Sequence, residues 1–380
     1  MRVLLGLTYF TPYKSGLTVY AERLARGLVK RGHEVVVLTS QYDSDLPLED
    51  VYDGVKIIRL PVLMRLSKGV IMPGILKQGK RWIDWAEVVN LHLPQFDAAL
   101  LAMLAQRLKK PIVATYHCDL DMPKGWFNRL AGGAVNQANH IAAKRAKVIV
   151  HNTQDFADHS PFLAKYLDKV QIIPPPIEVV QPTAVEVEAF RRKFQVEDDQ
   201  VIIGMAARLA AEKGVEFLVR AMPQVLQAFP RVRILFVGEY QHVIGEEAYR
   251  QRMMPLIEQL GEHWTFCGLL SEAEKSAFFK SCQVLVLPST NKTESLGMVQ
   301  VEALHFGTPI VASDLPGVRQ PVLQTGLGQI FPVGDASALA EAIIDVLHRF
   351  HERQTTPVYV EAFSTGRVAL AYEQLMKDLL

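Results

Sequence analysis

The sequence has few cysteines. Cys118, Cys267 and Cys282 are an odd number, and none of them forms a CxxC pair. A disulfide framework needs an even set of cysteines, and a structural zinc site needs closely paired ligands. Neither kind of stabilisation is therefore indicated, and a reducing compartment is the simplest expectation.

Long apolar runs are also missing. Hydrophobic residues make up 49% of the 380 residues, yet no uncharged apolar stretch reaches the roughly 18 residues that a transmembrane helix needs. The apolar run in MRVLLGLTYF is too short for a signal peptide and precedes no small-residue cleavage site. We expect a cytoplasmic protein, either free or bound peripherally to the inner face of the plasma membrane.

Two binding motifs are absent as well. GLG at 326–328 precedes a predicted strand instead of following one, so a GxGxxG dinucleotide fingerprint is lacking and a nicotinamide enzyme is disfavoured. No aromatic platform or known motif indicates nucleic-acid binding. The net charge is only +1, but residues 1–180 carry +7 and residues 181–380 carry −6, which suggests different partners for the two halves.

Short Val/Ile/Leu-rich runs alternate with longer helical patterns, twice over. Such near-continuous apolar strands are buried on both faces, which is typical of parallel sheets covered by helices. The first set of predicted strands is 2–8, 33–40, 55–61, 88–92, 111–117 and 147–153, and the second is 200–208, 232–239, 264–268, 282–289, 308–314 and 328–333. We predict an α/β protein with two Rossmann-like, doubly wound domains facing each other across a cleft.

A proline-rich connection separates the two sets. Pro174, Pro175 and Pro176 cannot continue a helix or the interior of a strand. The predicted domains are therefore residues 1–180 and 181–362. An amphipathic helix is predicted at 363–380, after the last strand.

The first strand of the second set ends in GMAARLAAEKG, which places Arg208 and Lys213 on one loop. Two cations at the carboxyl end of a strand suit a diphosphate, because arginine offers a planar fork and lysine a compact charge. The alternative is a solvated loop with ordinary surface charges.

The stretch ESLGMVQVEALHFG contains two glutamates, Glu294 and Glu302, eight positions apart. The loop at 295–298 precedes a helix whose first N–H groups suit an anion, and Gly297 permits close approach. On a helix the two carboxylates would be about 12 Å apart, beyond the roughly 5–9.5 Å of glycosidase pairs. They are better interpreted as two hydrogen-bond acceptors for hydroxyls, although Glu294 could merely offset the helix dipole.

The first half offers weaker candidates. Gly16 lies where the first loop becomes a helix, and His117 ends the strand PIVATYH. Gly16 could simply start the helix, and a lone histidine is more often structural. The DxD of Asp119 and Asp121 could bind Mg²⁺, but the Arg/Lys pair of the second half already supplies cations, so we expect no metal.

Residues 54–83 contain seven basic residues and no acidic one. Leu, Ile, Met and Trp82 are interleaved with them, as in segments that lie on an anionic membrane surface. A basic face for an acidic acceptor, or a solvated face, would have the same composition.

Taken together, GMAARLAAEKG and ESLGMVQVEALHFGTPIVASD, which follow SGLTVYAERLARGLVKRGHEV, resemble glycosyltransferase family 4. These are retaining enzymes of the GT-B fold that use nucleotide-sugar donors. The resemblance extends over essentially the whole chain, and it implies that the helix at 363–380 crosses back to the first domain.

The resemblance also implies roles for single residues. Arg208 and Lys213 would neutralise the donor diphosphate, Glu294 would hold hydroxyls of the transferred sugar, and Glu302 would bind the ribose. His117 would lie beside the reacting sugar. The other donor-binding residues would be Gly16 near the diphosphate, Leu269 near the base, and Ser295, Leu296, Gly297, Met298 and Val299 around sugar and phosphate.

The implied activity is retaining transfer of a hexose, with UDP-glucose as the first choice, to a glycan or lipid-linked acceptor in polysaccharide or glycolipid synthesis. Neither a cofactor nor a metal would be required. Two alternatives remain open at this point: a UDP-sugar 2-epimerase of the same fold, and a non-catalytic nucleotide-sugar-binding subunit of a glycan-assembly complex.

Overall fold

A computed structural model describes residues 1–66, 69–121, 126–243, 245–350 and 354–380. The chain forms two compact units. Unit 1 comprises Met1–Ile177 together with Ala362–Leu380, and unit 2 comprises Glu178–Glu361. The chain thus leaves unit 1 directly after the three prolines and returns to it before its last helix.

Unit 1 is built on an eight-stranded sheet with helices on both faces. The strands are β1 (Arg2–Gly6), β2 (Glu34–Gln41), β3 (Glu49–Tyr52), β4 (Val55–Pro61), β5 (Met64–Leu66), β6 (Gly69–Ile71), β7 (Val88–Leu93), β8 (Ile112–Tyr116), β9 (Val148–His151) and β10 (Val170–Ile172). The helices are α1 (Gly16–Lys30), α2 (Ile75–Trp85), α3 (Ala98–Arg107), α4 (Trp126–Arg145), α5 (Gln154–His159) and the last helix of the chain, α14 (Thr365–Lys377). The sheet order is β10-β9-β8-β7-β1-β2-β4-β3, and β5 and β6 form a separate hairpin.

All strands of this sheet run parallel except β3, which pairs antiparallel with β4. Every residue of β7 and β8 is buried, as expected for strands covered by helices on both faces. The order reverses between β1 and β7. The carboxyl ends of β1, β7 and β8 therefore meet near the middle of one edge of the sheet.

Local sequence explains where the first and last helices of unit 1 lie. Ser15 and Thr18 cap α1 reciprocally, and the chain turns at Gly32 with φ of +84°. Helix α14 packs against α1 at Gly27, where an added Cβ would lie 2.9 Å from the Cβ of Ala369. Only a glycine lets these two helices approach so closely.

Unit 2 has six parallel strands. They are β11 (Val201–Ala206), β12 (Val232–Val237), β13 (Trp264–Gly268), β14 (Val284–Leu287), β15 (Ile310–Ser313) and β16 (Gly328–Phe331). Its helices are α6 (Ala184–Lys193), α7 (Val215–Ala228), α8 (Glu247–Glu258), α9 (Glu272–Ser281), α10 (Met298–His305), α11 (Gln320–Thr325), α12 (Ala336–Arg349) and α13 (Pro357–Glu361). The sheet order is β13-β12-β11-β14-β15-β16, which is the 3-2-1-4-5-6 order of Rossmann folds.

The core of unit 2 lies on both sides of this sheet. Ile203 belongs to a cluster with residues of α7, α8 and α12, whereas its neighbour Ile202 belongs to a cluster with residues of α6, α9 and α10. Successive side chains of a strand point to opposite faces. The strand is therefore apolar throughout because each face needs its own apolar residues.

The predicted α/β fold with two parallel-sheet units is confirmed. Each of the two predicted sets of six strands has its counterpart, and the amphipathic helix predicted at 363–380 is α14 of unit 1. The sequence did not predict β3, β10 or the hairpin β5–β6. These are short, and β3 reads EDVY with no buried residue, so it lacks the apolar signal.

Candidate active site

The strand order of unit 2 locates a candidate ligand site. The order reverses between β11 and β14, and ligands of doubly wound sheets bind beside the carboxyl ends of the strands at such a point. Arg208 and Lys213 follow β11, and Glu294 follows β14. Three predicted site residues therefore come to the same part of the sheet edge.

Lys213 and Glu294 are in direct contact. The Nζ atom of Lys213 lies 2.5 Å from Oε2 of Glu294, and their side chains are 19% and 17% exposed. Partial burial strengthens such a pair compared with one in open solvent. The predicted diphosphate-binding cation thus touches the carboxylate that was predicted to hold sugar hydroxyls.

Arg208 is held on the same loop. Its Nη2 donates to Oε1 of Glu212 at 3.2 Å, and the backbone carbonyl of Glu212 accepts from the N–H of Thr290 at 3.0 Å. This second bond ties the loop after β11 to the loop after β14. Gly214, with φ of +67°, completes the junction, because an added Cβ would lie 1.9 Å from the carbonyl oxygen of Pro288.

Helix α10 begins at this junction. Gly297, at its N-terminus, has φ of +75°, and an added Cβ would lie 2.3 Å from Cδ2 of Leu287. The buried side chain of Gln300 donates to the carbonyls of Leu296 and Val318, which fixes the turn. The first N–H groups of a helix have no partner within it, so this end suits an anion.

The predicted donor-binding residues beside Gly297 differ in exposure. Ser295 and Leu296 are buried, and Met298 and Val299 are half-buried. Because the side chains of Ser295 and Leu296 are buried, this turn offers mainly its backbone to a ligand. This placement is compatible with the predicted role, which concerns backbone rather than side chains.

Glu302 lies about one turn into α10, and its side chain is only 5% exposed. Its Oε1 atom accepts from Nζ of Lys275 at 3.2 Å, and Lys275 also lies 3.0 Å from Glu272. Sequence reasoning missed Lys275, because a contact between two separate helices leaves no local signal. The cation explains how a carboxylate persists among apolar residues.

Leu269 follows the edge strand β13 and is 71% exposed. It lies three residues before α9, the helix that carries Lys275. Its predicted contact with a nucleotide base stays a prediction.

In unit 1, His117 follows the last residue of β8 and is 8% exposed. Its Nε2 lies 2.9 Å from Nδ1 of His92, the rings stack, and the ring of Tyr20 meets that of His117 edge-on at 4.9 Å. Sequence reasoning missed His92, although it ends the strand VVNLH. His117 is therefore one member of a buried histidine pair.

The buried histidines are held neutral. Burial lowers the pKa of His92 to about 3 and that of His151 to about 4. The pKa of His117 is lowered well below its usual value by burial and by its two histidine neighbours. A neutral imidazole can donate or accept one hydrogen bond at each nitrogen, so His117 suits a hydroxyl ligand better than an anion.

Gly16 is the first residue of α1 and is exposed. It follows the N-cap Ser15, at the carboxyl side of β1. This is the place that the sequence predicted for it, and its contact with a diphosphate stays a prediction.

The DxD motif is divided between core and surface. Asp119 is 4% exposed, and its Oδ1 accepts from the hydroxyls of Tyr116 at 2.7 Å and Ser160 at 2.6 Å. Asp121 is exposed. Within the described parts of the chain, no group of three or more His, Cys, Asp or Glu side chains could hold a metal ion.

Part of the basic segment 54–83 is buried instead of exposed at a surface. Trp82, expected at a membrane surface, is 7% exposed and packs in the core of unit 1, with Nζ of Lys56 over its ring. Arg59 is buried and donates to Asp50 and to the carbonyl of Thr11. The strands and helices of a sheet that is covered on both faces bury part of their side chains. Composition alone therefore did not show that Trp82 and Arg59 are buried.

Part of the segment is nevertheless exposed. Leu63, Met64 and Leu76 are 73%, 48% and 55% exposed, and the basic residues Arg65, Lys77, Lys80 and Arg81 are exposed too. Lys68, also part of the prediction, lies outside the described residues. The helices described here include none that is long and apolar enough to span a bilayer.

Two family models match the chain in succession. The model described as Glycosyltransferase Family 4 matches residues 14–181. The model described as Glycosyl transferases group 1 matches residues 186–356. The first thus covers most of the N-terminal part of unit 1 and the second most of unit 2.

Curated proteins match over most of the chain. Phosphatidyl-myo-inositol mannosyltransferase of Mycobacterium leprae is 28% identical over 91% of this chain and 87% of its own length. The 2-deoxystreptamine N-acetyl-D-glucosaminyltransferase of Streptomyces fradiae is 28% identical over 87% of this chain and 82% of its own length.

Among solved structures, the fold is similar to that of sucrose-phosphate synthase from Thermosynechococcus elongatus. The TM-score is 0.76 at 20% identity, over 100% of this chain and 98% of that one. HepE of Anabaena, solved in complex with UDP-glucose, gives a TM-score of 0.77 at 16% identity over 100% of both chains. These likenesses show a shared fold.

Proposed function

The chain belongs to glycosyltransferase family 4, and we propose that it is a retaining, metal-independent hexosyltransferase. In this proposal unit 2 binds the nucleotide-sugar donor and unit 1 binds the acceptor. The observation that carries it is the meeting of Lys213 and Glu294 at the start of α10, where the strand order of unit 2 reverses.

Each charged group of this site would contact a particular part of the donor. Arg208, Lys213 and the N-terminus of α10 would bind the diphosphate, with Gly16 of unit 1 as a further backbone contact. Because Lys213 already touches Glu294, one ammonium would bridge the diphosphate and the carboxylate that holds sugar hydroxyls. Glu302, steadied by Lys275, would accept hydrogen bonds from the ribose, and Leu269 would cover the base.

The proposed reaction keeps the configuration of the sugar. The bond between the anomeric carbon and the diphosphate oxygen breaks while the acceptor hydroxyl attacks from the same face. The departing diphosphate oxygen takes the proton of that hydroxyl. Negative charge builds up on the leaving group, and Arg208, Lys213 and the helix N-terminus stabilise it without a metal ion.

His117 would contact a hydroxyl of the transferred sugar. Its low pKa keeps the ring neutral at physiological pH, so it adds no positive charge beside a developing oxocarbenium ion. His92 occupies one ring nitrogen. This contact restricts the orientation of the ring.

For the donor we propose UDP-glucose, and for the acceptor a hydroxyl of a glycan or of a lipid-linked polyol. A lipid-linked acceptor is supported by the first relative named above, whose name gives phosphatidyl-myo-inositol as its acceptor. It is also supported by the exposed Leu63, Met64 and Leu76 among exposed basic residues. These side chains would contact an anionic membrane surface on the cytoplasmic side.

The test is a panel of UDP-, GDP- and ADP-linked glucose and mannose. Binding is measured by calorimetry, and products formed with a membrane extract are identified by mass spectrometry. We expect tight binding of one uridine-linked sugar and a product heavier than the acceptor by one hexose. Isomerised donor without any acceptor product would indicate the epimerase, and binding without turnover a non-catalytic subunit.

A further inference from the structure

The sheet face beneath α1 and α14 carries a ladder of polar residues. Asn90 and His92 lie on β7 two positions apart, and Thr115 and His117 lie two positions apart along β8 and its end. Thr115 donates to Asn90 Oδ1 at 2.9 Å, and one step further His117 contacts His92 at 2.9 Å. The two are equivalent side-chain contacts between the neighbouring parallel strands β7 and β8.

The last helix of the chain supplies a group to this ladder. Tyr372 of α14 is fully buried, and its hydroxyl lies 2.9 Å from Oγ1 of Thr115 and 2.8 Å from the hydroxyl of Tyr20. Burial raises the pKa of both tyrosines, so both hydroxyls keep their protons.

The direction of these hydrogen bonds follows from the acceptor at the end. Asn90 Oδ1 only accepts, so Thr115 donates to it and accepts from Tyr372, and Tyr372 in turn accepts from Tyr20. Bonds that run in one direction polarise each other. The position of the Tyr20 hydroxyl is therefore set from α14.

Tyr20 in turn packs against the imidazole of His117. Its ring meets the imidazole at 88° with centroids 4.9 Å apart, which is the edge-to-face geometry that aromatic rings prefer. The His117 ring is thus held by two neighbours: by His92 at one nitrogen and by Tyr20 through a T-shaped ring contact.

We propose that Tyr372 is a positioning residue for His117, so that docking of the C-terminal helix sets the ring that contacts the transferred sugar. This inference rests on the proposed function of His117. It explains why a buried hydroxyl, and not an apolar side chain, faces the sheet from α14. It also assigns a role in sugar transfer to α14, the helix with which the chain returns to unit 1.

The test compares Tyr372→Phe with Tyr166→Phe in the full chain. Tyr166 is a matched control, because its hydroxyl also contacts a histidine of unit 1, Nδ1 of His140 at 2.9 Å, and it is 7% exposed. We expect Tyr372→Phe to lower kcat at least fivefold with the donor KM within twofold. Tyr166→Phe should leave both within twofold, with a similar loss in Tm.

Two further measurements separate positioning from general destabilisation. The imidazole ¹⁵N–¹H signals of His92 and His117 should shift in Tyr372→Phe but not in Tyr166→Phe. In a His117→Ala background, adding Tyr372→Phe should change kcat less than twofold. If Tyr372→Phe does not fold, Tyr20→Phe removes the same hydroxyl contact from the other side and keeps the ring.

The outcomes also separate this inference from the proposed function. Full activity of His117→Ala would refute the role of His117 itself. If His117→Ala is impaired but Tyr372→Phe has wild-type kcat and unchanged imidazole signals, the positioning role is wrong. An equal further loss in the His117→Ala background would likewise overturn it, because Tyr372 would then act elsewhere.

Discussion

The carboxylate of Glu302 is nearly buried in α10 and meets a cation from another helix. We expect Glu302→Gln to raise the donor KM about tenfold, which corresponds to about 1.4 kcal/mol, with kcat changed less than threefold. In the proposed donor complex the ribose is bound equally in the ground state and the transition state, so losing its contact with Glu302 weakens binding alone. Steady-state kinetics with the uridine-linked donor measures both constants.

The control for this prediction is Glu258→Gln, an exposed acid at the end of α8 in the same unit. Its kinetic constants should equal those of the wild type. A fall in kcat for Glu302→Gln with an unchanged donor KM would contradict the assignment to the ribose.

Gly214 is a second residue whose replacement should lower the free energy of unfolding. In Gly214→Ala the new Cβ would meet a backbone oxygen at 1.9 Å and φ is +67°, whereas Gly326 has φ of +68° with no atom within 4 Å. Gly326→Ala should lose about 1 kcal/mol of unfolding free energy from backbone strain alone. Gly214→Ala should lose about 3 kcal/mol or more, because a loop must also move.

Denaturant unfolding of the two glycine variants provides the measurement. Gly214→Ala should also weaken donor binding, since the displaced loop carries Lys213. Equal stability losses in the two variants would mean that the contact between the loop and Pro288 is not close in solution.

Single residues show what sequence could and could not predict. The placement of Arg208 and Lys213 beside the carboxyl end of β11 could be predicted, because their position after a strand is visible in the sequence. Lys275 and His92 were not predicted, because each contacts its partner on another element. Trp82 was misplaced, because composition does not tell which side of an amphipathic segment faces inward.

At the scale of elements, the apolar pattern carried most of the information. Helices α6 and α9 each begin with the same reciprocal cap, Thr183 with Glu186 and Ser271 with Glu274. Thr183→Ala and Ser271→Ala should each cost about 1 kcal/mol of stability. Only Ser271→Ala should raise the donor KM, because α9 carries Lys275 and α6 carries no proposed site residue.

Unfolding curves and donor titrations of the two cap variants test this prediction together. Equal donor affinity in both variants, at equal stability loss, would show that the position of α9 does not matter for the donor. The strands that sequence reasoning missed lack the apolar run that marks the others. Strand β10 and the strands of the hairpin β5–β6 have only three residues each, and β3 has no buried residue.

At the scale of the molecule, the buried histidines give unit 1 a pH-dependent stability. Their folded pKa values lie below the unfolded value of about 6.5, at about 3 for His92 and about 4 for His151. Below pH 6.5 the unfolded chain therefore binds protons that the folded unit excludes. The unfolding free energy should fall as the pH drops from about 6.5 toward 4.

His151→Asn isolates one of these groups and keeps a donor for the carbonyl of Tyr116, which His151 contacts at 2.7 Å. Between pH 6 and 5 the slope of unfolding free energy should become shallower by about 1.2 kcal/mol per pH unit. A slope in His151→Asn equal to that of the wild type would mean that His151 is charged in the folded protein.

In the proposed reaction, Arg208 and Lys213 stabilise the departing diphosphate at the start of α10. The most direct measurement is single-turnover transfer from the uridine-linked donor by Arg208→Ala and Lys213→Ala, with Lys280→Ala, an exposed lysine of α9, as control. We predict at least a tenfold lower rate for both site variants, with unchanged circular dichroism and a wild-type rate for the control. Wild-type rates in both Arg208→Ala and Lys213→Ala would contradict the claim.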